Sequence, residues 1–122
     1  PYLVPWLMQI VIAARAYGLD VLDGVHNDCR DEAGFAAECA EGRAMGFDGK
    51  TLIHPGQIEA ANRAFGIDPA QLEDARAIVE AFAKPENARA GVISLDGRMV
   101  ERLHAEMAEK LIAKADALAA RP

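Results

Sequence analysis

Six side chains able to do chemistry crowd into one stretch, Asp23, His26, Asn27, Asp28, Arg30 and Asp31, and a further one, His54, follows a second apolar run. In a chain that is 52% hydrophobic, such a density exceeds what a solvated connector needs. Histidine and aspartate together can ligate a divalent cation, act as a base or hold a water. The plainer roles are loop solvation and helix capping. Asp31 immediately precedes a helical pattern, which favours capping. His54 can close the second strand with a hydrogen bond. Asp23 lies inside an apolar strand pattern, where a carboxylate needs a donor from a neighbouring strand. The spacing matches no compact zinc or calcium motif, so a metal cage built from this segment alone is not expected.

Gly42, Gly46, Gly49 and Gly56 form neither a dinucleotide fingerprint nor a P-loop. Residues 50–56 could still bind phosphate through backbone N–H groups at the helix start after His54-Pro55, with a plain helix start as the alternative. Cys29 and Cys39 read as small hydrophobes rather than nucleophiles, and no C-x-x-C pairs them. Asp96, before Gly97, reads as a turn residue.

The elements that must position these groups follow from periodicity and punctuation. Pro5 suits a first helical turn, and residues 6–17 form a helix closed by Gly18. Trp6, Leu7, Met8, Ile10, Val11 and Ile12 make it apolar nearly all round, so it expects cover on more than one side. Val21, Leu22 and Val25 mark a short buried strand. Residues 32–45 form a helix with Phe35 and Cys39 on its apolar stripe, and residues 50–53 a second strand. Strand, helix and strand within about thirty residues is a βαβ unit, which makes the strands parallel and the crossover right-handed. His26 to Asp31 and His54 then stand at the C-terminal strand ends, where α/β sheets and (β/α) barrels place ligands.

A short helix over residues 57–65 stops at Gly66. Asp68, Pro69 and Gln71 start the next helix as cap, first residue and capping-box partner, and it runs to Phe82. Apolar runs at 90–95 and 98–102 flank Asp96-Gly97, the signal of a type I′ hairpin. Leu103, Met107, Leu111 and Leu118 line the last helix. Two short parallel strands cannot form a self-sufficient sheet, so this reads as the end of a βα-repeat architecture.

Thirteen Lys and Arg against nineteen Asp and Glu leave a net charge of −6. That excludes a broadly basic surface for nucleic acid or an anionic membrane. The apolar run over residues 2–14 is broken by Gln9 and is too short to span a bilayer. It lacks a basic n-region and a small-residue cleavage pattern, so a cytoplasmic setting is expected. Beginning at Pro1 rather than Met, the chain reads as an excerpt or a processed product.

Three segments together resemble one family. Residues 22–35, LDGVHNDCRDEAGF, are similar to the seventh strand and following loop of citrate lyase beta-chain-like enzymes, within the HpcH/HpaI aldolase family that includes malyl-CoA lyases. Residues 46–58, GFDGKTLIHPGQI, resemble the family's eighth strand and its G-F-x-G-K-x-x-I-H-P-x-Q element. Residues 91–100, GVISLDGRMV, resemble its C-terminal lid hairpin.

The resemblance implies an α/β fold: the C-terminal part of a (β/α)8 TIM barrel followed by a hairpin-plus-helix lid. Residues 1–66 would be the last βα units and residues 67–122 the lid and oligomerisation extension. It implies a Mg2+-dependent carbon–carbon lyase acting on a 3-hydroxyacyl-CoA or a citryl or malyl thioester, carried by CoA or an acyl-carrier protein. The family's assemblies are trimers or hexamers. By motif, Asp96 becomes the catalytic residue, exchanging the proton on the enolate carbon in an adjacent subunit. Asp28, Arg30 and Asp31 would line the pantetheine and acyl portion, and Ile53, His54, Pro55 and Gln57 the CoA moiety. Cys29 stands where relatives often have an aromatic residue, and Arg30 where they have lysine, which changes hydrogen-bonding geometry.

The family's metal-ligating acids and substrate-carboxylate arginine lie on earlier strands, so the Mg2+ ligands are expected outside this chain and these residues alone are expected to be inactive. A complete barrel needs roughly 200–250 residues or more, which implies a complementing N-terminal half. The rival readings are a thioesterase-type relative and a non-catalytic CoA-binding or assembly module.

Overall fold

The computed structural model describes residues 2–121. The chain divides into two compact units, Pro1–Gly66 and Ile67–Pro122, each with its own apolar core.

The first unit runs α1 (Val4–Ala16), β1 (Leu22–Asp23), α2 (Glu32–Met45), β2 (Gly49–Lys50), a single 3-10 turn (Pro55–Gln57) and α3 (Ile58–Phe65). β1 and β2 pair in parallel, Leu22 with Gly49 and Asp23 with Lys50. Both strands are shorter than the sequence suggests. Beyond the ladder, side chains take over the backbone's hydrogen bonds: Asp23 Oδ1 accepts from Gly24 N, Thr51 Oγ1 donates to the Asp23 carbonyl, and Gln57 Nε2 donates to the His26 carbonyl. Val25, expected in the strand, is exposed.

Val11, Val21 and Phe47 form one core cluster, and Phe35, Cys39 and Ala61 another, with Phe65 packed against both. α1 buries only Val11 and leaves Trp6 66% exposed, with Ile10 and Ile12 also on the surface. That is the uncovered face expected of a helix without a polar side. Its C-terminal end is fastened by Arg15, which donates to Asp48 Oδ2 at 2.8 Å and to the Gly46 carbonyl at 2.7 Å. The same Asp48 oxygen accepts from Val21 N, fixing the entry to β1.

The second unit holds α4 (Pro69–Ala83), a 3-10 turn (Pro85–Asn87), β3 (Val92–Leu95), β4 (Arg98–Glu101) and α5 (Arg102–Ala119). Asp68 caps α4 by accepting from Ala70 N at 2.9 Å. β3 and β4 are antiparallel with Leu95 opposite Arg98. Asp96 at φ +50° and Gly97 at φ +77° make the left-handed pair that a type I′ turn requires.

The last helix corrects the sequence reading. Leu103, Met107 and Leu118 are exposed, and the face packed inward carries Ala105 and Ala108, with Leu111 and Ile112 at its margin. Opposite stand Ala75, Ile78, Ala81 and Phe82 of α4. Small residues on both sides let the two helices share one core, which a leucine stripe would hold apart. Arg102 lies over the Phe82 ring at 5.1 Å and donates to the Ala90 carbonyl. An ion pair between Arg98 and Asp74 ties β4 to α4. Among the described residues, no helix is long and apolar enough to cross a membrane.

Candidate functional site at the ends of the parallel strands

The parallel register sets Asp23 beside Lys50, and this pair organises the first unit's polar end. Lys50 Nζ, on a side chain with no solvent exposure, donates to Asp23 Oδ2 at 2.8 Å and to Glu38 Oε1 of α2 at 2.5 Å. Glu38 Oε2 meets His26 Nδ1 at 2.7 Å. The order Asp23–Lys50–Glu38–His26 thus joins β1, β2, α2 and the loop after β1. Asp23 finds the cross-strand donor that its apolar setting demands.

Burial opposes the charges of Lys50 and Glu38, yet the hydrogen bonds prevail. Lys50 is disfavoured by burial, but its bonds to Asp23 and Glu38 hold its ammonium above the ordinary value of 10.5. Glu38 is likewise penalised by burial, and Lys50 and His26 still hold its carboxyl below the ordinary 4.5. Cys39 lies against this network with no exposure, and burial pushes its thiol up, which suits a packing residue.

Gly42 faces the network from α2. A Cβ there would stand 3.1 Å from Asp23 Oδ2 and 3.5 Å from Phe65 Cζ. Gly→Ala in a helix interior ordinarily stabilises by about 1 kcal/mol. With Asp23 pinned by Lys50 and by Gly24 N, Gly42→Ala is expected to destabilise instead. A thermal melt showing a raised midpoint would refute that packing.

Beside the network opens a cleft of about 490 Å³, walled by residues that include Cys29, Asp31, Phe35, His54, Gln57 and Arg63. Asp31 caps α2 by accepting from Gly34 N at 2.9 Å, as its position suggests. His54 caps the 3-10 turn, its Nδ1 accepting from Gly56 N at 3.0 Å. Gln57, almost fully buried, accepts from Ile53 N through Oε1 and donates to the His26 carbonyl. Asp31, His54 and Gln57 are thus brought together. Asp28 instead stabilises its own loop by accepting from Arg30 N. Arg30, Ile53 and Pro55 are exposed and stand outside the cleft's lining. Asp96 lies at the hairpin tip of the second unit.

Two expectations change. The backbone N–H groups of Ile53, Gly56 and Gln57 already donate to Gln57 Oε1, His54 Nδ1 and the His54 carbonyl, so they form no open phosphate cradle. Cys29 is exposed on the cleft wall rather than buried as a small hydrophobe. For a cation, no group of three or more His, Cys, Asp or Glu side chains converges among the described residues. Asp23 and Glu38, the acids nearest the strand ends, are both bonded to Lys50. The described residues do not fit a magnesium site. Glu38 was not anticipated from the sequence. Its only signal is a position on α2 one turn beyond Phe35 and Gly34, facing the strands.

The fold agrees with what comparison with known proteins finds. The model of the C–C bond lyase family of the TIM-barrel fold matches residues 5–119, and the chain belongs to this citrate lyase beta-like, HpcH/HpaI aldolase family. A (3S)-malyl-CoA thioesterase of Cereibacter sphaeroides is 52% identical over 110 residues, covering 90% of this chain and 39% of that protein. A citrate lyase structure from Burkholderia xenovorans superposes with a TM-score of 0.80 at 26% identity, covering 100% of this chain and 38% of the other. The Mycobacterium tuberculosis protein CitE, solved with magnesium, acetoacetate and coenzyme A, superposes with a TM-score of 0.63 at 31% identity, covering 88% and 40%. The chain spans about two fifths of the length of these relatives. Its fold is accordingly part of an α/β barrel with a C-terminal helical and hairpin segment.

Proposed function

We propose that this chain supplies the last βα units and the hairpin segment of an enzyme that breaks or makes a C–C bond in a CoA thioester of the malyl or citramalyl type. The observation that carries this reading is the family match over residues 5–119. In cleavage, the 3-hydroxyl gives its proton to a general base supplied by the rest of the enzyme and becomes the carbonyl of a 2-oxoacid. The C2–C3 bond breaks, and its electron pair passes to the thioester's enolate. Asp96, in its acid form, then gives that enolate carbon a proton, completing acetyl-CoA or its homologue. In this reading the hairpin delivers Asp96 to a neighbouring subunit of a homo-oligomer, a trimer or hexamer. Residues 67–122 serve as lid and assembly segment. Asp31, His54 and Gln57 line the CoA-side cleft, with Asp28, Arg30, Ile53 and Pro55 at its margin. Magnesium, present with the mycobacterial relative, would be held by residues beyond this segment.

A specific observation favours a second reading, hydrolysis of the thioester, because the 52% identical relative is a thioesterase by name. The products separate the two. The complete enzyme, with the barrel segments that its relatives carry beyond this chain, is expected to release glyoxylate and acetyl-CoA from malyl-CoA in the presence of Mg2+. Malate and free CoA without glyoxylate would replace the lyase reading by hydrolysis, and no turnover of malyl-CoA or citramalyl-CoA would overturn both.

A further inference from the structure

The polar chain through Lys50 ends on a histidine with one nitrogen unspent. His26 Nδ1 bonds Glu38 Oε2 at 2.7 Å, and its side chain is only 15% exposed. Its Nε2 is buried without a hydrogen-bond partner among the described residues. That atom faces Asp31 Oδ2 at 3.8 Å, too far for a hydrogen bond. Phe35 meets the ring edge-on at 5.9 Å, and Gln57 holds the residue's carbonyl.

The tautomer follows from the partners. Glu38 is a carboxylate already bonded to Lys50, so it can only accept, and Nδ1 must carry the hydrogen. Neutral His26 therefore turns a bare lone pair at Nε2 toward the Asp31 carboxylate, two acceptors facing each other. Asp31 is not free to turn away, since its Oδ1 is committed to Gly34 N. Its other oxygen occupies space that residue 34 leaves open only as glycine, because a Cβ there would lie 2.0 Å from Asp31 Oδ2.

We propose that His26 is a positioning residue that places Asp31 by its proton: Nδ1 stays bonded to Glu38, and protonation of Nε2 turns an acceptor facing a carboxylate into a donor that draws Asp31 in. The charged groups around the ring are Glu38 on α2, Asp31 at the start of α2 and, behind Glu38, Lys50 of β2 and Asp23 of β1. The link closes on protonation of Nε2, and pH 5–8 is the range over which histidine side chains in general change charge. Because Asp31 walls the cleft, proton uptake at His26 moves that wall. This inference concerns the first unit alone and stands whether the enzyme proves to be a lyase or a thioesterase.

The test is nuclear magnetic resonance across pH 5–8 on the full chain labelled with 15N at histidine and glycine, with His26→Gln used for assignment. At the alkaline end, Nδ1 is expected to show the protonated type of 15N shift and Nε2 the bare type. On acidification Nε2 takes up the proton, and the Gly34 amide shifts with the same midpoint. In Asp31→Asn, which keeps a capping oxygen, His26 still titrates but the linked Gly34 shift is lost. A bare Nδ1 at the alkaline end would overturn the proposal. So would a Gly34 amide that ignores the His26 transition, or one that follows it unchanged in Asp31→Asn.

Discussion

Replacing Lys50 by methionine is expected to lower the free energy of unfolding by about 3 kcal/mol, the lower end of the cost of breaking a buried ion pair. The methionine keeps the volume and removes the charge. Two carboxylates are then stranded, and they differ in what they can recover. Glu38 has a side chain 39% exposed and can rehydrate, whereas Asp23, at 10%, cannot. The loss therefore falls mainly on Asp23, and Asp23→Asn in the Lys50→Met background is expected to restore part of it, since a neutral amide tolerates burial better than a carboxylate. Chemical denaturation of the wild type and the two variants measures this. An unchanged midpoint in Lys50→Met would mean that water, not Lys50, satisfies Asp23.

The same network sets a pH window. Glu38 is held below its ordinary 4.5 when folded, so its contribution is present above that value and lost as pH falls through the lower folded one. Lys50 is held above 10.5, so its contribution is complete below that value and lost as pH rises through the higher folded one. The wild-type chain should show both edges, and Lys50→Met should lack the alkaline edge.

Asp96→Asn is expected to lower turnover of the thioester substrate by about 10²–10⁴-fold, the usual worth of a positioned general acid or base, with little effect on KM or stability. The substitution isolates the proton. Asparagine tolerates the left-handed backbone that residue 96 adopts at φ +50°, so the type I′ turn and the β3–β4 register survive. Alanine would add backbone strain there and confuse the two effects. Wild-type turnover in Asp96→Asn would remove Asp96 from the mechanism and leave the hairpin a structural role.

Local chemistry was the part that could be read without coordinates. Asp31 and Asp68 cap because their side-chain oxygens reach backbone N–H groups two or three residues on. Asp96-Gly97 turns because both residues accept positive φ. The parallel pairing follows from a crossover helix between two short apolar runs. The amino-acid order also required that Asp23 find a donor, since an unpaired carboxylate in a strand is too costly to bury.

What the order of residues could not reveal was which groups meet across space. Lys50 looked like part of a phosphate-binding turn, and only the one-to-one register of β1 with β2 puts its ammonium on Asp23. Glu38 has no local mark of function, because a helical acid is ordinarily a solvated one, and its role comes from α2 packing over the strand ends. The inward face of α5 is decided by how closely α4 approaches, which favours alanines over the larger residues at helical spacing. Capping, turns and strand pairing depend on neighbours a few residues away, which the sequence by itself determines. The ion-pair chain, the orphaned nitrogen of His26 and the cleft beside Asp31 depend on distances between segments far apart along the chain, and those the tertiary structure alone decided.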